Sequence, residues 1–256
     1  MSGSGMSLSI APVTDAAGLE TLRAEWDDLL SASAGGSVFL RFSWISTWWQ
    51  VFGPRFGLLV LTARDGAGRL VGVAPLMTGP GPGRLGRRLP HLLFIGQQGD
   101  TLSEQLDFLA RRGLEAEVME AFAEHVVSTA GRAWQVLLLE RVPADSPTLS
   151  LFETALARRG IASERVNGQE SPYLPLPSSF DALLASRSRN FRRQWRNARA
   201  RLAREGEVRV LRGGVDLPLE EAFDVLVALH HARWGEGRGS FDTDDYVAFH
   251  RALAPR

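Results

Sequence analysis

Residues 114–160 read LEAEVMEAFAEHVVSTAGRAWQVLLLERVPADSPTLSLFETALARRG, and this stretch decides the fold class. Leu114 to Thr129 follows a helical pattern, WQVLLLERV (134–142) reads as a buried strand, and PTLSLFETALARRG (147–160) returns to helix. A further strand is expected on either side. HLLFIGQQGD (91–100) runs into a Gly-rich turn, and IASERV (161–166) leads into a Pro-rich stretch. This alternation of strand and helix implies an α/β (α+β) layer rather than an all-β fold or a helix bundle.

Working back toward the N-terminus, GLLVLTARDGAGRLVGVAPLM (57–77) reads as a hairpin: two strand-forming runs flank Asp65, Gly66, Ala67 and Gly68, a turn chemistry that supplies positive φ without steric cost. Ahead of it, Ser43 is the expected N-cap of a helix whose Trp44, Ile45, Trp48, Trp49 and Phe52 form a broad aromatic face, stopped by Gly53 and Pro54. Trp44 and Trp48 are expected in the core. Trp49 is open to core packing or to stacking on a substrate. Earlier still, a first strand near Leu8–Ala11 precedes a helix capped by Thr14 or Asp15, with Leu19, Leu22, Trp26 and Leu29 on its apolar stripe.

Composition excludes several kinds of chemistry. The chain has 256 residues, 45% of them hydrophobic, so it carries ample apolar material for a core. All 29 basic residues are arginine, and there is neither lysine nor cysteine. Schiff-base chemistry, a P-loop lysine, thiol nucleophiles and thiolate metal sites are therefore absent. His91 and His125 have no partner at metal-ligand spacing and are read as structural, so no metal is expected. The start lacks the features of a signal peptide, no run reaches the length of a membrane span, and the cytoplasm is the default compartment. A literal G-x-G-x-x-G at Gly81, Gly83 and Gly86 is rejected as a dinucleotide fingerprint, because Pro82 interrupts it and Pro90 closes the segment before a helix can grow. It reads as an exposed loop that Arg84, Arg87 and Arg88 solvate.

Two clusters carry candidate chemistry. In TLSEQLDFLARRG (101–113), Glu104 and Asp107 stand three apart, which on a helical turn places both carboxylates on one side as general base and orienting group; a plain surface turn is the alternative. In SRSRNFRRQWRNARARLAREG (186–206), Phe191, Trp195, Ala198 and Leu202 share one face at roughly 100° per residue, with arginines around the rest. The stripe reads either as a polyanion site or as a solvated face, and Trp195, on the side away from the charges, is expected to be buried. Ser178 is the expected cap of the helix before it, Ser188 the cap of the arginine helix, and Gly206 its end. EVRVLRGG (207–214) reads as a strand, LPLEEAFDVLVALHHARW (217–234) as a helix capped by Asp216, and Asp242 with Asp245 as the start of the last helix. The turn Ser171–Pro177 is the best domain boundary.

From Ser178 onward the order FDALLASRSRNFRRQWRNARARLAREGEVRV, LVALHHARWGEGRGSF, DDYVAFHRAL resembles the start of the acyltransferase domain of the CelD/BcsL cellulose-biosynthesis family, related to the FemAB aminoacyl transferases. The upstream pieces SVFLRFSWISTWWQVFG, GRLVGVAPL and WQVLLLERVPADSPTLSLF are similar to the N-terminal half of such proteins. The resemblance implies two GNAT-like modules, a mixed sheet flanked by helices over 1–170 and a helix-rich, incomplete second module over 171–256. Judged by the size of a complete domain, relatives continue for about another hundred residues. The implied activity is transfer of an acyl group from acetyl-CoA or another acyl-CoA to an amine or hydroxyl, on a small-molecule or glycan acceptor, with exopolysaccharide synthesis as the process the resemblance suggests. In that reading Glu104, Asp107 and His230 are the candidate catalytic residues, and Arg189, Arg192, Arg193, Arg196 and Arg233 contact the CoA phosphates. Trp49 and Trp234 contact the acceptor. The family's usual Gly-rich pyrophosphate turn is not found in RWGEGRGS (233–240). The alternatives are a nucleic-acid-binding module built on the arginine helix, which the zero net charge disfavours, and an inactive remnant. The oligomeric state is left open.

Overall fold

The structure is a computed structural model that describes residues 7–81, 89–99, 101, 103–129, 134–166, 168, 170–235 and 238–256. The loop carrying Gly83 and Gly86, with Arg84, Arg87 and Arg88, lies outside these residues. The chain divides into two compact units, Met1–Arg165 together with Leu226–Arg256, and Val166–Val225.

The first unit is built on one mixed sheet. Its strands are β1 (Ser9–Val13), β2 (Gly57–Arg64), β3 (Leu70–Pro80), β4 (Pro90–Phe94), β5 (Leu109–Ala110) and β6 (Val136–Leu137). Their order is β1-β2-β3-β4-β6, with β5 paired to β3. The first three pairings along that order are antiparallel, and β6 runs parallel to β4. The hairpin forms as its turn residues require: Asp65 Oδ1 accepts from Ala67 N and Arg69 N, and Gly68 takes φ +81. β3 is the central strand, buried from Leu70 to Met77.

Helices flank the sheet. One helix was expected over Leu19–Leu29. Instead α1 (Ala16–Thr21), capped by Asp15 through Gly18 N at 2.7 Å, gives way at Leu22 to α2 (Arg23–Ala32). The break leaves Leu19, Leu22, Trp26 and Leu29 buried all the same. The helix α3 (Phe42–Phe52) begins two residues before its expected start at Trp44. Ser43 is not its cap; Asp27 Oδ1 from α2 accepts from Phe42 N at 3.0 Å and ties the two helices together. Trp44 and Trp48 are core residues as expected, and each buried indole N–H finds an acceptor. Trp26 donates to Leu40 O, Trp44 to Ser103 Oγ and Trp48 to Gln98 O.

The helices α4 (Glu115–Thr129) and α5 (Pro147–Arg158) follow β5 and β6. Gly72 on β3 has its missing Cβ where Val118 of α4 now sits, so only glycine lets that helix come this close. Glu120 of α4 holds both Arg158 and Arg159 at the end of α5. The buried strand expected over 134–142 is reduced to Val136–Leu137, and 138–142 leave the sheet. Residues 161–166 and 207–214 form no strand; 207–214 contributes only the isolated bridge Gly213–Leu217. Neither run has a sheet neighbour to complete its hydrogen bonds, and β-rich composition alone does not supply one.

The second unit carries α6 (Phe180–Ala185), capped by Ser179 rather than Ser178, and α7 (Arg189–Glu205), capped by Ser188 as expected. The helix α8 (Leu219–Trp234) crosses the second boundary, with Gly235 just past its end at φ +84. The last helix, α9 (Asp244–Leu253), is capped by Thr243 through Tyr246 N, not by Asp242. Within the first unit α9 docks on α3: Phe249 is fully buried with its ring 5.0 Å from that of Trp44, and Arg55 pairs with Asp245. The apolar face of this helix is therefore covered, whereas α8 leaves Leu226, Leu229 and Trp234 exposed. Replacing Phe249 by alanine removes a fully buried ring and is expected to lower stability by about 3–5 kcal/mol in urea unfolding; a loss below about 1 kcal/mol would show that α9 is not docked.

Candidate functional site

Parallel strands β4 and β6 pair for only a short distance. Gln135 N donates to Pro90 O, Leu138 N donates to Leu92 O, and the ladder then stops. The evenly spaced rungs of a parallel pair would next join Phe94 N to Leu138 O and Glu140 N to Phe94 O. Neither bond forms. β4 stays on β3, with Ile95 N donating to Pro75 O, while β6 swings away.

The side-chain amide of Gln97 stands in the gap. Its Oε1 accepts from Phe94 N at 3.2 Å and Glu140 N at 3.1 Å, and its Nε2 donates to Leu138 O at 3.0 Å and Glu140 Oε2 at 3.1 Å. Two donors and two acceptor positions exhaust what a primary amide can offer. Gln97 is buried, and its amide takes the place of the missing rungs for Phe94 N, Leu138 O and Glu140 N. In effect a peptide-like amide has been inserted between two separating strands.

Two non-glycine residues with positive φ lie beside the gap, Gln105 (φ 51) and Arg141 (φ 61), and they are the ones found among the described residues. The hydrogen bond from Leu106 N to Arg141 O joins the two segments. Such conformations cost of order 1–3 kcal/mol each and concentrate at functional sites.

Asp107 is adjacent. The helical turn expected to place Glu104 and Asp107 side by side does not form, because the left-handed Gln105 turns the chain between them. Glu104 is exposed and Asp107 is buried, so the structure does not make them a carboxylate pair. Asp107 Oδ1 accepts from Thr148 Oγ1 at 2.6 Å and from Phe108 N at 2.8 Å, at the start of α5. Burial pushes its carboxyl above the ordinary range, against hydrogen bonds from Ser146, Thr148 and Phe108 N that pull the other way.

The remaining expected residues lie elsewhere. Trp49 is half-buried, its ring against Gly53. His230, with its ring 5.2 Å from Phe241, has a buried Nε2 with no hydrogen-bond partner. Arg233 stacks on the exposed Trp234 at 5.0 Å. In the second unit Arg192 and Arg196 line a concavity of about 400 Å³ with Trp195 and Leu184, and Arg189 and Arg193 do not line it. Trp195 was expected to be buried, but no residue of α7 is; its ring rests 5.4 Å from that of Phe180. A larger concavity, about 560 Å³, opens at the start of α3 beside Arg23, Arg41, Asp27 and Arg256. Its charges already face one another or hydrogen-bond, Arg23 with Glu20, Arg41 with Asp27 and Arg256 with Thr47. No group of His, Asp or Glu able to hold a metal occurs among the described residues. No helix among them is long and apolar enough to cross a membrane.

Sequence reasoning missed Gln97, although the signal was present as a glutamine pair in the Gly-rich turn after a strand. Gln105 and Arg141 carry no sequence signal for positive φ.

No known protein family matches the sequence, and no curated protein does. Among solved structures, the chain is similar to a ribosomal-protein-alanine N-acetyltransferase from Brucella melitensis biovar Abortus 2308, at 12% identity and TM-score 0.35 over 66% of this chain and 100% of that one. It is also similar to a glucosamine-6-phosphate N-acetyltransferase from Arabidopsis thaliana, at 12% identity and TM-score 0.36 over 66% of this chain and 99% of that one. At such TM-scores the shared course is partial, and the strand order above stands by itself.

Asp107 yields a prediction with a definite sign. Its folded value lies above the ordinary 3.8, so the folded state keeps the proton to higher pH than the unfolded chain. The stability it contributes is full below that value and falls as pH rises toward the folded one. Asp107→Asn should remove this slope and leave the protein as stable or more so at pH 7. Asp107→Ala should cost about 1–3 kcal/mol by stranding Thr148 and Phe108 N. Urea titrations of the three proteins across pH check both outcomes.

Proposed function

We propose that the chain is a GNAT-like acyltransferase, transferring an acyl group from acyl-CoA to an amine or hydroxyl on a small-molecule or glycan acceptor. The observation that carries this reading is the gap between β4 and β6 filled by the Gln97 amide. A space between parallel strands that satisfies one amide can satisfy another, and the pantetheine arm of CoA is a narrow chain with two amides. The order of antiparallel strands ending in a parallel neighbour that departs supports the same reading. So does the resemblance of the sequence to the CelD/BcsL family, which is also the ground for a role in exopolysaccharide synthesis.

The chemistry this site needs is modest. Were the Gln97 amide to swing out, a thioester carbonyl taking its place would meet the N–H groups of Phe94 and Glu140 that now donate to Gln97 Oε1, and preorganised donors there stabilise the oxyanion of the tetrahedral intermediate. Asp107, its proton held to higher pH by burial, is the one expected catalytic residue beside the parted strands. Of the four α7 arginines first expected at the CoA phosphates, Arg192 and Arg196 share a concavity within the second unit. His230 remains a candidate catalytic residue, and Trp49 and Trp234 remain candidates for the acceptor side.

One observation favours a second reading. Gln97 is fully satisfied where it stands, so the gap serves equally well as a sealed structural joint in an inactive module.

Calorimetric titration with acetyl-CoA, on the wild type and on Gln97→Ala, separates the two. Gln97→Ala should unfold more easily by about 1–3 kcal/mol and should bind acetyl-CoA more tightly than the wild type, because the ligand then supplies the missing partners. Thiol release with a panel of amines and glycans should follow binding. Absence of binding heat in both proteins, with no thiol released, sinks the acyl-transfer reading and leaves the sealed joint.

A further inference from the structure

We propose that α7 is a docking helix for an anionic membrane surface, lying flat on the bilayer with its arginines at the lipid phosphates. This surface is independent of the acyl-transfer reading. The helix RNFRRQWRNARARLARE carries arginine at 189, 192, 193, 196, 199, 201 and 204 against the single acid Glu205, in a chain whose net charge is zero. Among the described ion pairs none joins an α7 arginine to a carboxylate. The charge is thus left for an external anion.

Charge alone fits any polyanion, and the apolar side of the helix selects among them. Phe191 is 47% exposed, Leu202 is 54% exposed, and Phe180 of α6, against which Trp195 rests, is 53% exposed. On this helix Phe191, Trp195 and Leu202 share one face, a ridge along about 17 Å. At roughly 100° per residue, Arg192 and Arg199 flank the ridge on one side and Arg201 on the other. Arg199 already lies over the Trp195 ring at 5.5 Å. A nucleic-acid duplex would engage the phosphate-seeking groups and leave the ridge in water. A bilayer takes both: guanidinium heads reach the phosphates while the aliphatic and aromatic groups sit at the acyl boundary. The separation of the two faces, with strong charge and low overall hydrophobicity, is that of an interfacial rather than a spanning helix.

The test uses the full chain and vesicle flotation. The protein should float with phosphatidylcholine vesicles containing phosphatidylglycerol and stay behind with phosphatidylcholine alone. R199Q/R201Q/R204Q, at positions not assigned to CoA phosphates, should lower the partition coefficient roughly a hundredfold, about fivefold per charge. F191S/L202S keeps every charge and should still lose about tenfold or more. All five side chains lie on a helix without buried residues, and circular dichroism confirms that both variants are folded. The proposal is overturned by absence of flotation, by equal flotation with neutral vesicles, or by flotation indifferent to F191S/L202S. Tight capture of duplex oligonucleotide, unchanged in F191S/L202S and lost in the arginine variant, together with no flotation, would assign the helix to nucleic acid instead.

Discussion

A backbone amide or carbonyl buried without a partner costs more than a typical hydrogen bond contributes, and the meeting of β4 and β6 is organised by that penalty. The two strands separate after Leu92 and Leu138, and the unmet groups of Phe94, Leu138 and Glu140 are answered by one side chain. The left-handed Gln105 and Arg141 follow from the same divergence, since the two segments must turn sharply to stay joined through Leu106 N and Arg141 O. Asp107 then lands on the hydroxyl of Thr148 instead of beside Glu104.

The aromatic layer makes this divergence tolerable. Trp26, Trp44 and Trp48 are buried with their indole N–H groups spent on acceptors in neighbouring segments, which ties irregular chain to helices. Trp44 reaches Ser103, in the turn between the parted strand and β5. The other side of that ring meets Phe249, so the C-terminal helix contributes to the same layer. A sheet that loses ladder bonds at one edge is held by apolar contact and by side chains that act as backbone surrogates.

The two candidate surfaces differ in kind. The strand gap is lined by backbone groups and holds one buried side-chain amide, and its selectivity is for an amide in a fixed direction. The α7 face is wet, charged and long, and its selectivity is for a surface of phosphates with an apolar layer behind it. An enzyme that modifies a glycan or a lipid-linked acceptor has use for both, although each stands on its own observations.

The sequence by itself determined the α/β class, the β2–β3 hairpin through Asp65 and Gly68, the burial of Trp44 and Trp48, and the amphipathic arginine helix with its Ser188 cap. These are set by local turn chemistry or by periodicity, which a single chain displays directly. Only the tertiary structure decided that 134–142 leaves the sheet after two paired residues, that 161–166 and 207–214 find no strand to pair with, and that Glu104 and Asp107 part company. It alone revealed Gln97, whose role exists only because two strands far apart in sequence diverge at the place where its amide reaches. Strand pairing and the fate of a buried polar group depend on neighbours distant along the chain, and no local pattern records them.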